Sequence, residues 1–110
     1  MLEAKKIAGM AEAYYAQIAP HLYAGPVEAA ANIQLAACSP NFLILEGLET
    51  WGGFYSEILN KPFVWQDGYI LPSAEPGLGI ELNEEVMLKY PTQANAPSID
   101  VSYEDAAKQF

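Results

Sequence analysis

Arginine is absent from this chain, and lysine is scarce. Five lysines face 14 aspartate and glutamate residues, so the 110-residue chain carries a formal net charge of −9. Proteins that hold the phosphate groups of nucleic acids or of anionic lipids rely on clustered lysine and arginine side chains. We therefore expect neither a nucleic acid nor a membrane surface among the partners of this protein.

Cysteine is almost absent as well. Cys38 is the single cysteine, which excludes an internal disulfide and a cysteine-rich zinc site. It falls on an alanine-rich segment, where we expect it to be a small core side chain. No apolar run reaches the ~18–20 residues that span a bilayer, and residues 13–17 do not resemble the core of a signal peptide. These absences favour a protein of the reducing cytoplasm.

Apolar residues, by contrast, are plentiful. They make up 52% of the chain, and charged residues make up 17%. This composition is typical of a globular protein rather than of a disordered tail. The length allows one domain with a small core.

The first half of the chain alternates between helical and extended patterns. A helix is predicted over residues 2–17, a short strand over 18–21, a second helix over 26–38 and a strand over 41–46. This order is typical of an α/β fold with a parallel sheet. The apolar run at 42–45 predicts a strand that is buried on both faces. The first helix has one apolar face, which comprises Ile7, Met10, Ala11, Tyr14 and Ile18.

The second half is interrupted by glycine and proline. A short helix is predicted over 54–59, and a β-hairpin over 63–71 with an Asp-Gly turn at its centre. Asn83 is the predicted N-cap of a last helix that runs to about Lys89, with glutamates in its first turn. Residues 91–110 are polar and rich in proline and alanine, so we expect an irregular tail.

His21 is the first candidate for a functional residue. It ends the predicted strand over 18–21, and the carboxyl ends of parallel strands form the active-site face of α/β folds. A histidine at this place can act as a general base, because imidazole titrates near neutral pH. The alternative is a surface histidine or one that is hydrogen-bonded for structural reasons.

Glu46 is the second candidate, because it ends the strand over 41–46. A carboxylate that is buried there without a partner would cost free energy, so its presence favours a role as an acid or a hydrogen-bond partner. A solvated strand end is the alternative. Since His21 and Glu46 both end strands of one predicted parallel sheet, we expect them to face the same opening.

Four stretches of the chain form a series that resembles a known family. They are Ala19-Pro20-His21, Gly25-Pro26-Val27, Asn41 to Glu46 and Pro76-Gly77-Leu78-Gly79. In this order and spacing they resemble the end of an enolase-superfamily barrel. They are most similar to the mandelate racemase/muconate lactonizing enzyme group, and especially to its acid-sugar dehydratases. The resemblance covers about residues 3–90.

The resemblance implies a fold class. It is α/β: the C-terminal portion of a TIM-type (β/α) barrel with about two βα units, followed by a returning β-hairpin and helix of the capping domain. On this basis residues 1–50 are the last βα units of the barrel. Residues 51–90 are the final helix and the tail of the capping domain, and residues 91–110 are an irregular C-terminal tail.

The resemblance also implies a chemistry. Members of the family abstract the proton α to a carboxylate and form an enediolate that Mg²⁺ holds, in lyase and isomerase reactions such as dehydration and racemisation. His21, after strand seven, is implied as the general base. Glu46, at the end of strand eight, is implied as a hydrogen-bond partner of the substrate carboxylate or enediolate. The implied substrate of the full-length enzyme is an acid-sugar carboxylate.

The chain also departs from the family pattern. The three carboxylates that bind the metal on strands three to five have no counterpart here, nor has the aspartate that pairs with the histidine base. We therefore expect a C-terminal fragment that lacks the N-terminal portion, binds no Mg²⁺ by itself and is inactive alone. The alternatives are a non-catalytic module that self-associates or binds a partner through exposed strand edges, and one chain of a split enzyme.

Overall fold

Short elements joined by long connections build the part of the chain that the structure describes. The computed structural model describes residues 1–47 and 52–91. The predicted boundary between residues 50 and 51 and most of the predicted tail over 91–110 therefore lie outside the described residues. The elements are α1 (Leu2–Ala13), α2 (Pro26–Ala37), α3 (Phe54–Glu57), β1 (Trp65–Gln66), β2 (Tyr69–Ile70) and α4 (Glu84–Met87).

The first helix ends at Ala13, four residues before its predicted end. The N–H of Ala16 donates to the carbonyl of Ala11, and the N–H of Tyr15 donates to that of Glu12. Tyr15 has a φ of 59°. Together these features form a Schellman motif, which closes a helix and redirects the chain. Its usual left-handed residue is glycine, so a tyrosine here gave no sequence signal for the end of the helix.

The apolar stripe of α1 is not the side that the helix buries. Ile7, Met10 and Tyr14 are exposed, whereas Ala8 is buried. The side chain of Asn41 donates a hydrogen bond to the carbonyl of Ala8, so the helix approaches its neighbour through a side of small residues. The apolar stripe is present, but the described residues pack against the adjacent side of the helix, on which Ala4, Lys5 and Ala8 lie.

The second helix begins as predicted and supplies more buried residues than any other described element. Pro26 occupies its first position after Gly25, where the missing N–H of proline has no helical partner to lose. The core centres on Leu22 and Ala29, against which Leu45, Tyr55 and Phe63 pack. The buried residues of α2 are Pro26, Ala29, Ala30, Ile33 and Leu35.

The end of α2 is tied to α1. Cys38 caps the helix and is exposed, so the core position predicted for it is wrong. The ammonium group of Lys5 donates to the carbonyl of Cys38 at 2.5 Å and lies 3.5 Å from the hydroxyl of buried Ser39. A lysine at a helix C-terminus satisfies carbonyls that have no partner within the helix.

Residues 18–21 and 42–46 are extended segments that pair in parallel on either side of α2 in sequence. The order is that of a βαβ unit, as the alternating pattern predicts, but the two predicted strands form only isolated bridges and no continuous sheet. The predicted burial of the second segment on both faces is wrong: Leu43 is 59% exposed and Ile44 is 61% exposed. Among the described residues the segment pairs along one edge, and packing covers part of Phe42 and Leu45 but leaves Leu43 and Ile44 largely exposed.

The predicted hairpin is confirmed, although its strands are short. Trp65 pairs with Ile70 and Gln66 pairs with Tyr69 in antiparallel register. The two turn residues, Asp67 and Gly68, have φ angles of 51° and 83°. Positive φ at both positions is the requirement of the type I′ turn that favours Asp-Gly.

The residues just before α4 pair with the residues just after α3. Leu59 and Leu82 form an antiparallel bridge, and the N–H of Asn60 donates to the carbonyl of Glu81. The side chain of Asn83 accepts the N–H of Val86 at 3.2 Å, which confirms the predicted N-cap. Both short helices end two residues before their predicted ends. No helix in the described ranges is long and apolar enough to cross a membrane.

Candidate active site

The two parallel segments begin in regular register. The N–H of Ile18 donates to the carbonyl of Asn41, and the N–H of Leu43 donates to the carbonyl of Ile18, both at 2.9 Å. Ile18 therefore stands opposite Phe42. The polar residues that sequence reasoning selected lie at the other end of this pairing.

His21 and Glu46 are brought together across the pairing. They form a parallel bridge, and the distance from His21 Nε2 to Glu46 Oε1 is 4.0 Å. Each side chain is 68% exposed. The two groups do not hydrogen-bond to each other at this distance. Both side chains can therefore hydrogen-bond to the same ligand at the open end of the segments.

The ladder shifts by one residue between its two bridges. The chain advances three residues from Ile18 to His21 but four from Phe42 to Glu46. The carbonyl of Pro20 accepts the N–H of Glu46 at 3.2 Å, where an unshifted ladder would use the N–H of Leu45. The shift is a β-bulge, a feature that re-aims side chains next to active sites.

Asn41 lies at the other end of the same pairing, and sequence reasoning did not select it. Its side-chain amide donates to the carbonyl of Ala8 at 3.0 Å and to that of Ala16 at 2.9 Å. Its side-chain oxygen is buried and has no hydrogen-bond partner among the described residues. One amide thus holds α1 and the turn after it against the start of the segment that carries Glu46. No sequence motif signals such a contact, since its acceptors are backbone carbonyls far away in the chain.

Tyr23 is a second residue that sequence reasoning missed. Its ring lies nearly parallel to the ring of His21, with an interplanar angle of 27° and a centroid distance of 6.3 Å. Tyr23 is also exposed. It therefore adds an aromatic side and a hydroxyl to the surface around His21.

The described residues do not fit a magnesium site. Mg²⁺ takes oxygen ligands in octahedral geometry and commonly uses one or two carboxylates. Glu46 faces an imidazole rather than a second carboxylate, and no group of three or more His, Cys, Asp or Glu residues gathers within residues 1–47 and 52–91. What this pair can do by itself is proton transfer and hydrogen bonding to a ligand.

Known proteins are similar to this chain over the region that contains His21 and Glu46. The family model described as "Enolase C-terminal domain-like" matches residues 1–86. A curated relative, D-galactonate dehydratase from Pectobacterium atrosepticum, is 36% identical over an alignment that covers 86% of this chain and 26% of that protein. Further curated relatives are D-gluconate and D-xylonate dehydratases. The chain spans about a quarter or less of the length of these relatives.

Solved structures agree with the described fold. A candidate mandelate racemase/muconate lactonizing enzyme from Burkholderia SAR-1 superposes with a TM-score of 0.82 at 60% identity, over 87% of this chain and 24% of that one. A candidate L-alanine-DL-glutamate epimerase from Burkholderia xenovorans, bound to magnesium and fumarate, superposes with a TM-score of 0.74 at 29% identity. That match covers 81% of this chain and 22% of the epimerase.

Proposed function

Since the chain belongs to the enolase C-terminal domain-like family, we propose that it supplies one wall of the active site of an acid-sugar dehydratase. His21 is the general base of this site, and Glu46 is its hydrogen-bond partner for the substrate. The observation that carries the proposal is the meeting of the two side chains, 4.0 Å apart, at the open ends of parallel-paired segments.

The proposed reaction begins with the proton on the carbon next to the substrate carboxylate. A ring nitrogen of His21 takes that proton, and the electron pair of the C–H bond moves toward the carboxylate to form an enediolate. Glu46 lies on the neighbouring segment, from which its carboxyl group can hydrogen-bond the carboxylate or enediolate of a substrate bound beside His21. Donors and acceptors placed where charge develops stabilise such an intermediate.

Further groups belong to the rest of the site. Mg²⁺, which the family uses, neutralises the charge of an enediolate when it is bound. The described residues do not form its site, so its ligands, and the carboxylate that orients the base, would come from other parts of a full-length enzyme. We propose accordingly that this chain does not turn over substrate alone.

Joining this chain to the rest of a relative tests the proposal. We would replace the matching C-terminal part of the Burkholderia SAR-1 protein with this chain, because their 60% identity favours correct packing. The intact relative and this joined protein are then assayed with Mg²⁺ on D-galactonate, D-gluconate and D-xylonate. We expect the joined protein to dehydrate the acids that the intact relative accepts. A folded joined protein without activity, beside an active intact relative, would contradict the proposal.

A second function is favoured by one observation. Leu43 and Ile44 are both largely exposed on a segment whose second edge has no partner among residues 1–47 and 52–91, and such edges pair with other chains. In this alternative the chain is a non-catalytic module that self-associates. The two functions are separated by the activity of the joined protein, which only the first function requires, because the isolated chain can self-associate in either case.

A further inference from the structure

We propose that Asn41 and Pro20 are positioning residues, which together place Glu46, and not Leu45, opposite His21. Asn41 holds the start of the pairing, and Pro20 shifts it by one residue before the two side chains meet. The inference deepens the proposed function and rests on it only for its consequence in catalysis. The register itself is a property of this chain.

Asn41 anchors the start of the pairing. Its amide has two N–H groups, which donate to Ala8 in α1 and to Ala16 in the turn after that helix. Its backbone carbonyl accepts the N–H of Ile18, so one residue contacts three points that lead into the first segment. With both N–H groups and the carbonyl occupied, the two segments start in one register.

Pro20 lies where the pairing shifts by one residue. Ile18 uses both its N–H and its carbonyl in the ladder, so the next residue to do so in a regular parallel pairing is residue 20. Proline has no N–H, and the regular ladder cannot continue there. The carbonyl of Pro20 instead accepts the N–H of Glu46, one residue beyond the regular partner.

The shift changes which side chain lies opposite His21. Successive side chains of an extended segment point to opposite faces, so a shift of one residue changes which of them faces the neighbour. Without the shift, apolar Leu45 would occupy the place opposite His21. With it, a carboxylate does, at 4.0 Å from the imidazole. The bulge therefore decides whether the site has one polar group or two.

Nuclear magnetic resonance on the isotope-labelled full chain tests the shift without any turnover. In the native chain, the N–H of Glu46 should show a through-space contact with the α-hydrogens of Pro20 and His21. Pro20→Ala restores a donor, so we expect this contact to move to the N–H of Leu45. If the contact stays with Glu46 in this variant, Pro20 does not set the register.

Amide hydrogen exchange tests the anchor. In Asn41→Ala we expect the amides of Leu43 and Glu46 to exchange about tenfold faster relative to the amides of α2. Asn60→Ala is the matched control, because the Asn60 side chain also donates to two acceptors, but away from the paired segments. This control should leave the exchange rates of Leu43 and Glu46, relative to those of the α2 amides, unchanged.

Two outcomes would overturn the role of Asn41. One is equal acceleration of all amides, which means that Asn41 supports general stability only. The other is loss of the folded spectrum both in Asn41→Ala and in Asn41→Ser, which keeps one donor.

In the joined protein, Pro20→Ala should lower kcat while KM changes little. An inactive unsubstituted joined protein would count against the proposed function, while the register measurements on this chain would stand.

Discussion

Glu46 faces His21 one residue later than a regular parallel pairing would place it. The bridge between Ile18 and Phe42 sets the starting register, and the bridge between His21 and Glu46 is offset from it by one residue. A proline, which cannot donate to a ladder, precedes His21 at the point of the shift. The position of Glu46 beside the candidate base thus depends on a local break in the pairing.

Replacing His21 by asparagine should remove the activity of the joined protein. Asparagine cannot act as a general base at neutral pH, and loss of such a base costs about 10²–10⁴-fold in rate. The side chain is 68% exposed, so the free energy of unfolding should change by less than about 0.5 kcal/mol. Steady-state kinetics and urea unfolding check the two parts. Retained turnover would exclude His21 as the base.

Glu46→Gln should lower kcat of the joined protein by about 10²-fold, because a group that contacts the developing charge in the transition state is altered. Glu85→Gln is the control, since Glu85 lies in the first turn of α4 and is also exposed. We expect the control to keep the activity of the unsubstituted joined protein. Equal kinetics for the two variants would remove Glu46 from the site.

The isolated chain should self-associate through its uncovered segment. Sedimentation equilibrium is expected to give a molar mass above that of the 12.0 kDa chain. Leu43→Lys combined with Ile44→Lys should shift the chain toward the monomer, because charges on an edge oppose pairing. Leu88→Lys is the control, since Leu88 is exposed beyond α4, away from the edge. A monomeric, cooperatively folded native chain would contradict the argument from the uncovered edge.

Tyr15→Gly should stabilise the chain by about 1 kcal/mol, because glycine has no Cβ penalty in the left-handed region. Tyr15 is 98% exposed, so little packing is lost. Tyr14→Gly is the matched control: Tyr14 has a φ of −106°, and glycine there should destabilise the chain. Urea unfolding at equal protein concentration measures both changes. A lower stability of Tyr15→Gly would show that the φ of Tyr15 carries no strain.

Gly79→Ala should destabilise the chain by about 2 kcal/mol. A Cβ at Gly79 would lie 2.4 Å from the Cβ of Ser73, in a residue whose φ is +73°. Gly77→Ala is the control, since its φ is +71° but nothing lies within 4 Å of an added Cβ. The difference between the two variants in urea unfolding isolates the clash. Ser73→Gly should recover part of the loss, and no recovery would assign the whole cost to the backbone.

Several features were predictable because their causes lie close together in the chain. The Gly25-Pro26 pair marked the start of α2, and Asp67 with Gly68 marked a hairpin turn. Asn83 caps its helix through an N–H only three residues away. Each of these signals depends on the local backbone conformation that a residue permits or on a partner within one turn.

Other features could not be predicted, because their causes are distant in sequence. The periodicity of α1 identified its apolar stripe, but the choice of Ala8 for burial depends on Asn41, which lies beyond another helix. The burial predicted for Leu43 and Ile44 assumed neighbours on both faces of the segment, which the described residues do not supply. Composition and spacing indicate what can be buried, while packing decides what is buried.

The sequence by itself determined the order of helices and extended segments, and with it the expectation that His21 and Glu46 end neighbouring segments of a parallel pairing. That order follows from hydrophobic periodicity and from residues that start or stop helices. Only the tertiary structure decided that the two side chains stand opposite each other at 4.0 Å. The reason is that register depends on hydrogen bonds between distant parts of the chain, here those of Asn41 and of the carbonyl of Pro20.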